Sequence, residues 1–140
     1  MSPTIAEMSI ADYDEVMSFW RDQEGLGLND SDSRGQIAAF LERNRGMSYV
    51  IRDQGCVVAA VLCGHDGRRG SLHHLAVASS HRKRGLGRLL VQRCLDRLRE
   101  EGIQKCNIFL FATNEEGQQF WRAIGYRERG DLRLLQRVID

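Results

Sequence analysis

The sequence lacks the features that mark several protein classes. Its 1 proline, at position 3, leaves no rigid linker, and no low-complexity tract or internal repeat interrupts the chain. No apolar run approaches the ~18 residues of a membrane span. The first twenty residues carry Glu7, Asp12, Asp14 and Glu15 instead of a basic start and an apolar core, so no signal peptide is expected. The 4 cysteines, Cys56, Cys63, Cys94 and Cys106, form no C-x-x-C pair, and no histidine pair completes a zinc pattern. They read as reduced thiols filling a core in a cytoplasmic protein that holds no metal. Charge of one sign is lacking too. With 20 Lys and Arg against 19 Asp and Glu, the net charge of +1 excludes a globally basic nucleic-acid binder.

What is present suits one globular domain over residues 1–140, with 42% hydrophobic and 28% charged residues. A short strand is expected at Ile5–Met8. Ser9 with Asp12 then makes a capping box, and Tyr13, Val16, Met17 and Trp20 have helical spacing. Ser33 with Gln36 opens a second helix through Ile37, Phe40 and Leu41. Ser48–Arg52 and the apolar run Cys56–Cys63 read as a hairpin of strands, and Ser71–Val77 as a fourth strand. The clearest periodicity lies in Leu86–Glu101, where Leu86, Leu89, Leu90, Cys94 and Leu98 share one helical face. Lys105–Phe111 is expected as a fifth strand. A helix follows, capped by Thr113 with Glu116 and closed by Gly125, and then a last strand at Arg133–Val138. Strand, helix, strand across residues 71–111 requires a parallel right-handed crossover. The fold class is therefore α/β, a mixed and mostly antiparallel sheet with helices on both faces.

The chemistry concentrates in Leu75-Ala76-Val77-Ala78-Ser79-Ser80-His81-Arg82-Lys83-Arg84-Gly85-Leu86-Gly87-Arg88. A strand ends, a basic glycine loop follows, and a long helix begins at once. Gly85 and Gly87 let backbone approach a ligand closely. The helix start offers unpaired N–H groups and partial positive charge, to which Arg82, Lys83, Arg84 and Arg88 add full charge. This is an anion site suited to a pyrophosphate. It is not a P-loop, because G-x-x-x-x-G-K-[ST] is absent, and it lacks the third glycine of the dinucleotide fingerprint.

Arg82-Lys83-Arg84-Gly85-Leu86-Gly87 resembles the R/Q-x-x-G-x-G/A signature of the GCN5-related N-acetyltransferases (GNAT). Downstream, Asn114-x-x-Gly117-x-x-Phe120-Trp121-x-x-x-Gly125-Tyr126 resembles that family's N-x-x-A-x-x-L/F-Y-x-x-x-G-F, and the element order matches over nearly the whole chain. The resemblance, strongest to small bacterial members, implies the acyl-CoA N-acyltransferase fold with a splayed parallel pair of fourth and fifth strands. It implies acetyl-CoA as co-substrate. The pantetheine would lie on Leu75, Ala76 and Val77, and the pyrophosphate on Arg82, Lys83, Arg84, Gly85, Leu86, Gly87 and Arg88. Phe120 would stand beside the pantetheine, and Asn114 would either bond the cofactor or cap its own helix.

The implied activity is acetyl transfer to a primary amine, on a small molecule or a protein, by direct attack in a ternary complex. The Val77 N–H would serve the oxyanion. The family's general-acid Tyr position is Trp121 here, and an indole N–H donates a hydrogen bond without being a usable acid near neutral pH. Ser71 and Phe109 stand near the positions of carboxylate bases in other members. His73 and His74 are the remaining bases, and strand alternation would put them on opposite faces, with His73 favoured because it shares a face with Ser71 and Leu75. Glu24, Asn29, Asp30 and Asp32 would give the acceptor pocket an acidic rim suited to a cationic amine. The family resemblance also allows a homodimer, and implies neither a nucleic-acid nor a membrane partner. The competing reading is a non-catalytic acetyl-CoA sensor on the same fold.

Overall fold

The structure, a computed structural model, describes residues 2–140. The chain divides into two units, Met1–Phe109 and Leu110–Asp140.

The first unit is built on a sheet of five strands in the order β1-β2-β3-β4-β5. These are β1 (Thr4–Glu7), β2 (Tyr49–Asp53), β3 (Cys56–His65), β4 (Gly70–Val77) and β5 (Cys106–Ile108). The first three pairings are antiparallel, and β4 pairs β5 in parallel. Three helices flank the sheet: α1 (Tyr13–Arg21), α2 (Arg34–Arg43) and α3 (Leu86–Glu100).

The expected helix starts are present. The Ser9 N–H donates to Asp12 Oδ2 at 2.8 Å, and the Gln36 N–H donates to Ser33 Oγ at 3.3 Å. One face of the sheet buries Val50, Ala60 and Leu62 with Val16, Met17 and Trp20 of α1 and Ile37 of α2. α3 packs on β3 and β4, burying Leu90, Val91, Cys94 and Leu98, with the free Cys94 thiol donating to the Met47 carbonyl at 3.6 Å and hydrogen-bonding with the free Cys63 thiol. The neighbouring Cys63 thiol and then burial push the Cys94 thiol up. Cys56 departs from the expected role in the core. It is exposed at the start of β3, where the strand has only just left its turn.

β5 is shorter than expected. Its ladder with β4 holds three residue pairs, Gly70 with Cys106, Ser71 with Asn107 and Leu72 with Ile108. It ends where β4 changes course at His74, which has φ +56. Phe109 is 61% exposed beyond it.

The second unit contains α4 (Glu115–Ala123). Its cap is Asn114, whose Oδ1 accepts from the Gly117 N–H at 2.9 Å, not Thr113 as expected. A carboxamide one residue later meets the helix amides more directly than the hydroxyl. The expected strand at Arg133–Val138 is not formed. A strand needs a ladder to satisfy its N–H and C=O groups, and none is made here. Leu134, Leu135 and Val138 are 68%, 91% and 82% exposed. Among the described residues, no helix is long and apolar enough to cross a membrane.

Candidate active site

The site is organised by an irregularity in β4. The β3–β4 register shifts between Ala60 and Leu62, so Ala60 opposes Ala76 while Leu62 opposes His73. One extra residue of β4 fits into that interval, and His74 takes it up in the left-handed region. This overturns the alternation expected for the two histidines. The His73 ring meets Phe40 of α2 edge-on at 6.0 Å, and the His74 ring meets Trp20 of α1 edge-on at 5.1 Å. Both therefore face the α1/α2 side.

Their surroundings differ. His74 Nε2 lies 2.9 Å from Asp32 Oδ1, and the side chains are 16% and 7% exposed. Asp32 is fixed in turn: its Oδ2 accepts from the Asn29 N–H at 3.0 Å, and its backbone carbonyl accepts from Tyr13 Oη at 2.7 Å. A carboxylate on Nε2 sets the tautomer with the proton there, leaving the Nδ1 lone pair as the basic position. His73 has no carboxylate partner. It stacks with Phe109 at 6.5 Å on one side and meets Phe40 on the other. Burial, helped by neighbouring His74 and opposed by Asp32, holds its pKa below the ordinary imidazole value. The dyad is thus built on His74, whereas the sequence favoured His73. Asp32 is a buried partner of that dyad, not part of an exposed acidic rim.

The anion loop forms next to this strand. β4 ends at Val77, and one turn of 3-10 helix follows at Ser79–His81. Lys83 then sits at φ +64, Gly85 at φ +79, and α3 begins at Leu86. Gly85 occupies the N-cap position without any side-chain cap, so no N-cap side chain satisfies the first amides of this 15-residue helix. Lys83, Arg84 and Arg88 are exposed around it, while Arg82 Nε turns back to donate to the Val77 carbonyl at 3.1 Å. A side-chain relay fixes the loop's entry. Ser80 Oγ lies 2.7 Å from His81 Nδ1, and His81 Nε2 lies 2.7 Å from Asp53 Oδ2 at the end of β2. Leu75, Ala76 and Val77 form the half of β4 that has β3 on one side and no β5 ladder on the other.

Asn114, Phe120 and Trp121 belong to the second unit. Asn114 caps α4, as one of its two expected roles required. Phe120 and Trp121 meet edge-on at 5.2 Å, and Trp121 and Tyr126 at 4.9 Å.

Comparison with known proteins gives the family and the fold. The family model described as "Acetyltransferase (GNAT) family" matches residues 13–126. The chain belongs to the GNAT acetyltransferase family. A Yersinia pestis acetyltransferase is 28% identical over 129 residues, covering 91% of this chain and 90% of its own. Among solved structures, the PaiA N-acetyltransferase of Thermoplasma acidophilum, in complex with coenzyme A, superposes with a TM-score of 0.78 at 14% identity over 91% of each chain. A predicted acetyltransferase from Clostridium acetobutylicum, solved with acetyl-CoA, gives 0.77 at 14% identity over 96% of each chain. These two similarities establish the GNAT fold.

Sequence reading of this GNAT chain missed Asp32 as the partner of His74, and Asp53 and His81 as the anchor of the loop. Partners 42 and 28 residues apart leave no local spacing to find. The one available signal was the pairing of a strand histidine with an acidic inter-helix loop.

Proposed function

We propose that this chain is an acetyl-CoA-dependent N-acetyltransferase that acetylates a primary amine by direct attack in a ternary complex. The observation that carries the reading is the His74–Asp32 pair on a strand whose open half leads straight into an uncapped helix start. The pyrophosphate would take the amides from Gly85 to Arg88, with Lys83, Arg84 and Arg88 supplying charge. The pantetheine would add along the free edge of Leu75, Ala76 and Val77, as an extended chain adds to a sheet. Neighbours of the same fold solved with coenzyme A and with acetyl-CoA support this co-substrate.

His74 Nδ1 would take the proton that the attacking amine must lose, with Asp32 as the positioning residue that holds the ring and steadies its charged form. The amine nitrogen forms the new bond to the thioester carbonyl carbon while the Val77 N–H donates to the oxyanion. The C–S bond then breaks, leaving the acetamide and the CoA thiolate. A thiol of pKa about 8.5 is a tolerable leaving group without a strong acid, which fits an indole at Trp121. His74 then returns the proton to the sulfur or to water.

The test is calorimetric titration with acetyl-CoA, with desulfo-CoA and ADP as controls, followed by thiol-release assays over an amine panel. Binding that needs both the pantetheine and the pyrophosphate, with turnover of an amine, is the expected result. Binding without turnover of any amine would make the chain an acetyl-CoA sensor. No binding at millimolar ligand would remove both readings.

A further inference from the structure

Against Ser71 and His73 of β4, before its open half begins, lies a groove of about 360 Å³, walled by Phe40 and His73 and rimmed by Arg43, Arg69 and Asp66. Its volume suits a small molecule. Its rim brings two free cations together. Arg45, Arg97 and Arg99 each pair with a carboxylate on their own helix or just beyond it, whereas Arg43 and Arg69 carry no ion pair or side-chain hydrogen bond among the described residues. The nearby carboxylates are committed. Glu42 pairs with Arg45. Asp66 Oδ1 accepts from the Arg68 and Arg69 N–H groups, both at 2.8 Å, bonds that hold its carboxyl below the usual carboxylate range. His65 is also committed, with Nδ1 accepting from the Gly67 N–H at 2.9 Å and Nε2 3.5 Å from Glu101. The groove thus offers two unpartnered guanidinium groups against one engaged carboxylate, next to an aromatic wall.

We infer that this groove holds the acceptor, and that the acceptor is a primary amine carrying an anionic group that Arg43 and Arg69 bind. The inference rests on the acetyltransferase reading above and adds the acceptor's chemical class. A guanidinium presents a fork of donors matched to carboxylate or phosphate oxygens. The aromatic pair of Phe40 and His73 takes the apolar body of such a molecule. His73 lines the groove and is the residue before His74, so the amine end of the acceptor would extend past the His73 ring toward the base. An acceptor class of polycations, which an acidic rim would have favoured, fits this surface poorly.

The test uses thiol release at saturating acetyl-CoA with 4-(aminomethyl)benzoate, its neutral carboxamide, its phosphonate analogue and spermidine. The benzoate or the phosphonate is expected to exceed the carboxamide in kcat/KM by about tenfold or more. The ratio between those two arms tells carboxylate from phosphate. The R43A/R69A double variant, at two exposed positions, is expected to raise KM for the anionic amines about tenfold and to leave KM for the carboxamide unchanged. A preference for spermidine, or a benzoate-to-carboxamide ratio that the double variant leaves intact, would overturn the inference. So would the absence of Arg-dependent binding of the benzoate by NMR titration in the presence of desulfo-CoA. Normal acetyl-CoA binding alongside any of these results removes the anion subsite alone, whereas failure to bind acetyl-CoA removes the reading beneath it.

Discussion

β4 is one strand with two different halves. Gly70–Leu72 is laddered on both sides, to β3 through His65, Gly64 and Cys63 and to β5 through Cys106, Asn107 and Ile108. His73–Val77 keeps β3 but has no strand on the β5 side, and it contains the bulge at His74. The first half is close-packed. A Cβ on Gly70 would fall 2.6 Å from Leu98 Cδ1, and one on Gly64, the partner of Ser71, would fall 2.7 Å from Phe40 Cζ. The second half gives up packing and pairing for access. Backbone polar groups in the middle of a sheet are expensive to leave open. On the proposed reading the pantetheine pairs with that open edge, and the packed half holds the edge in place.

The strongest way to break that comparison is chemical. His74→Asn keeps a side chain that tolerates the left-handed region and removes the base. It is expected to lower kcat by about 10²- to 10⁴-fold, with acetyl-CoA affinity within a few-fold of wild type. Asp32→Asn retains an oxygen for the Asn29 N–H but leaves His74 without its carboxylate. It should lower kcat less than His74→Asn does, because the imidazole stays while the carboxylate that fixes its orientation at 2.9 Å is lost. A kcat left at the wild-type value would show that Asp32 serves only to hold the loop.

The packed half should respond in stability and not in chemistry. Gly64→Ala would put its Cβ 2.6 Å from Asn44 Nδ2 and 2.7 Å from Asn44 Cγ. Asn44 cannot step aside cheaply. Its Nδ2 donates to the Phe40 carbonyl at 3.2 Å, and its Oδ1 accepts from the His65 N–H at 3.0 Å. Overpacking at such a site costs about 1–3 kcal/mol. Urea denaturation should show that loss. Acetyl-CoA affinity of the remaining folded protein should not change, and a matching fall in that affinity would erase the distinction between the halves.

The same division explains what could be read from sequence. The basic glycine loop and the helix it opens were legible because their parts are contiguous: Gly85, the basic run and the start of a strongly periodic helix depend on no distant residue. The caps at Ser9 with Asp12 and Ser33 with Gln36 were legible for the same reason. The dyad was not, because a period-two pattern assumes that every residue of a strand advances the alternation, and His74 at φ +56 does not. The bulge put both histidines on one face and brought His74 to Asp32, which sequence could place only in a loop. The expected strand at Arg133–Val138 failed for a related reason: hydrophobic composition names a candidate strand, but a strand exists only where another completes its hydrogen bonds.

His73 stands where the two halves meet, and it offers the finest test. Its ring lies between Phe40 and Phe109, and burial first, then the neighbouring His74, keeps its pKa below the ordinary value of about 6.5. In the unfolded chain the same group takes up a proton as soon as pH falls through about 6.5. Between that value and the lowered native one, the unfolded state holds more protons, so stability rises with pH across the window and falls as the solution is acidified. His73→Leu removes that proton difference. Denaturation midpoints measured from pH 7.5 downward should fall less steeply for the variant than for wild type, beginning just below pH 6.5, while the plateau above it shifts only by the change in packing. Parallel curves would mean that His73 charges as easily in the fold as out of it, and that the junction of the two halves is open to water instead of closed by the aromatic wall.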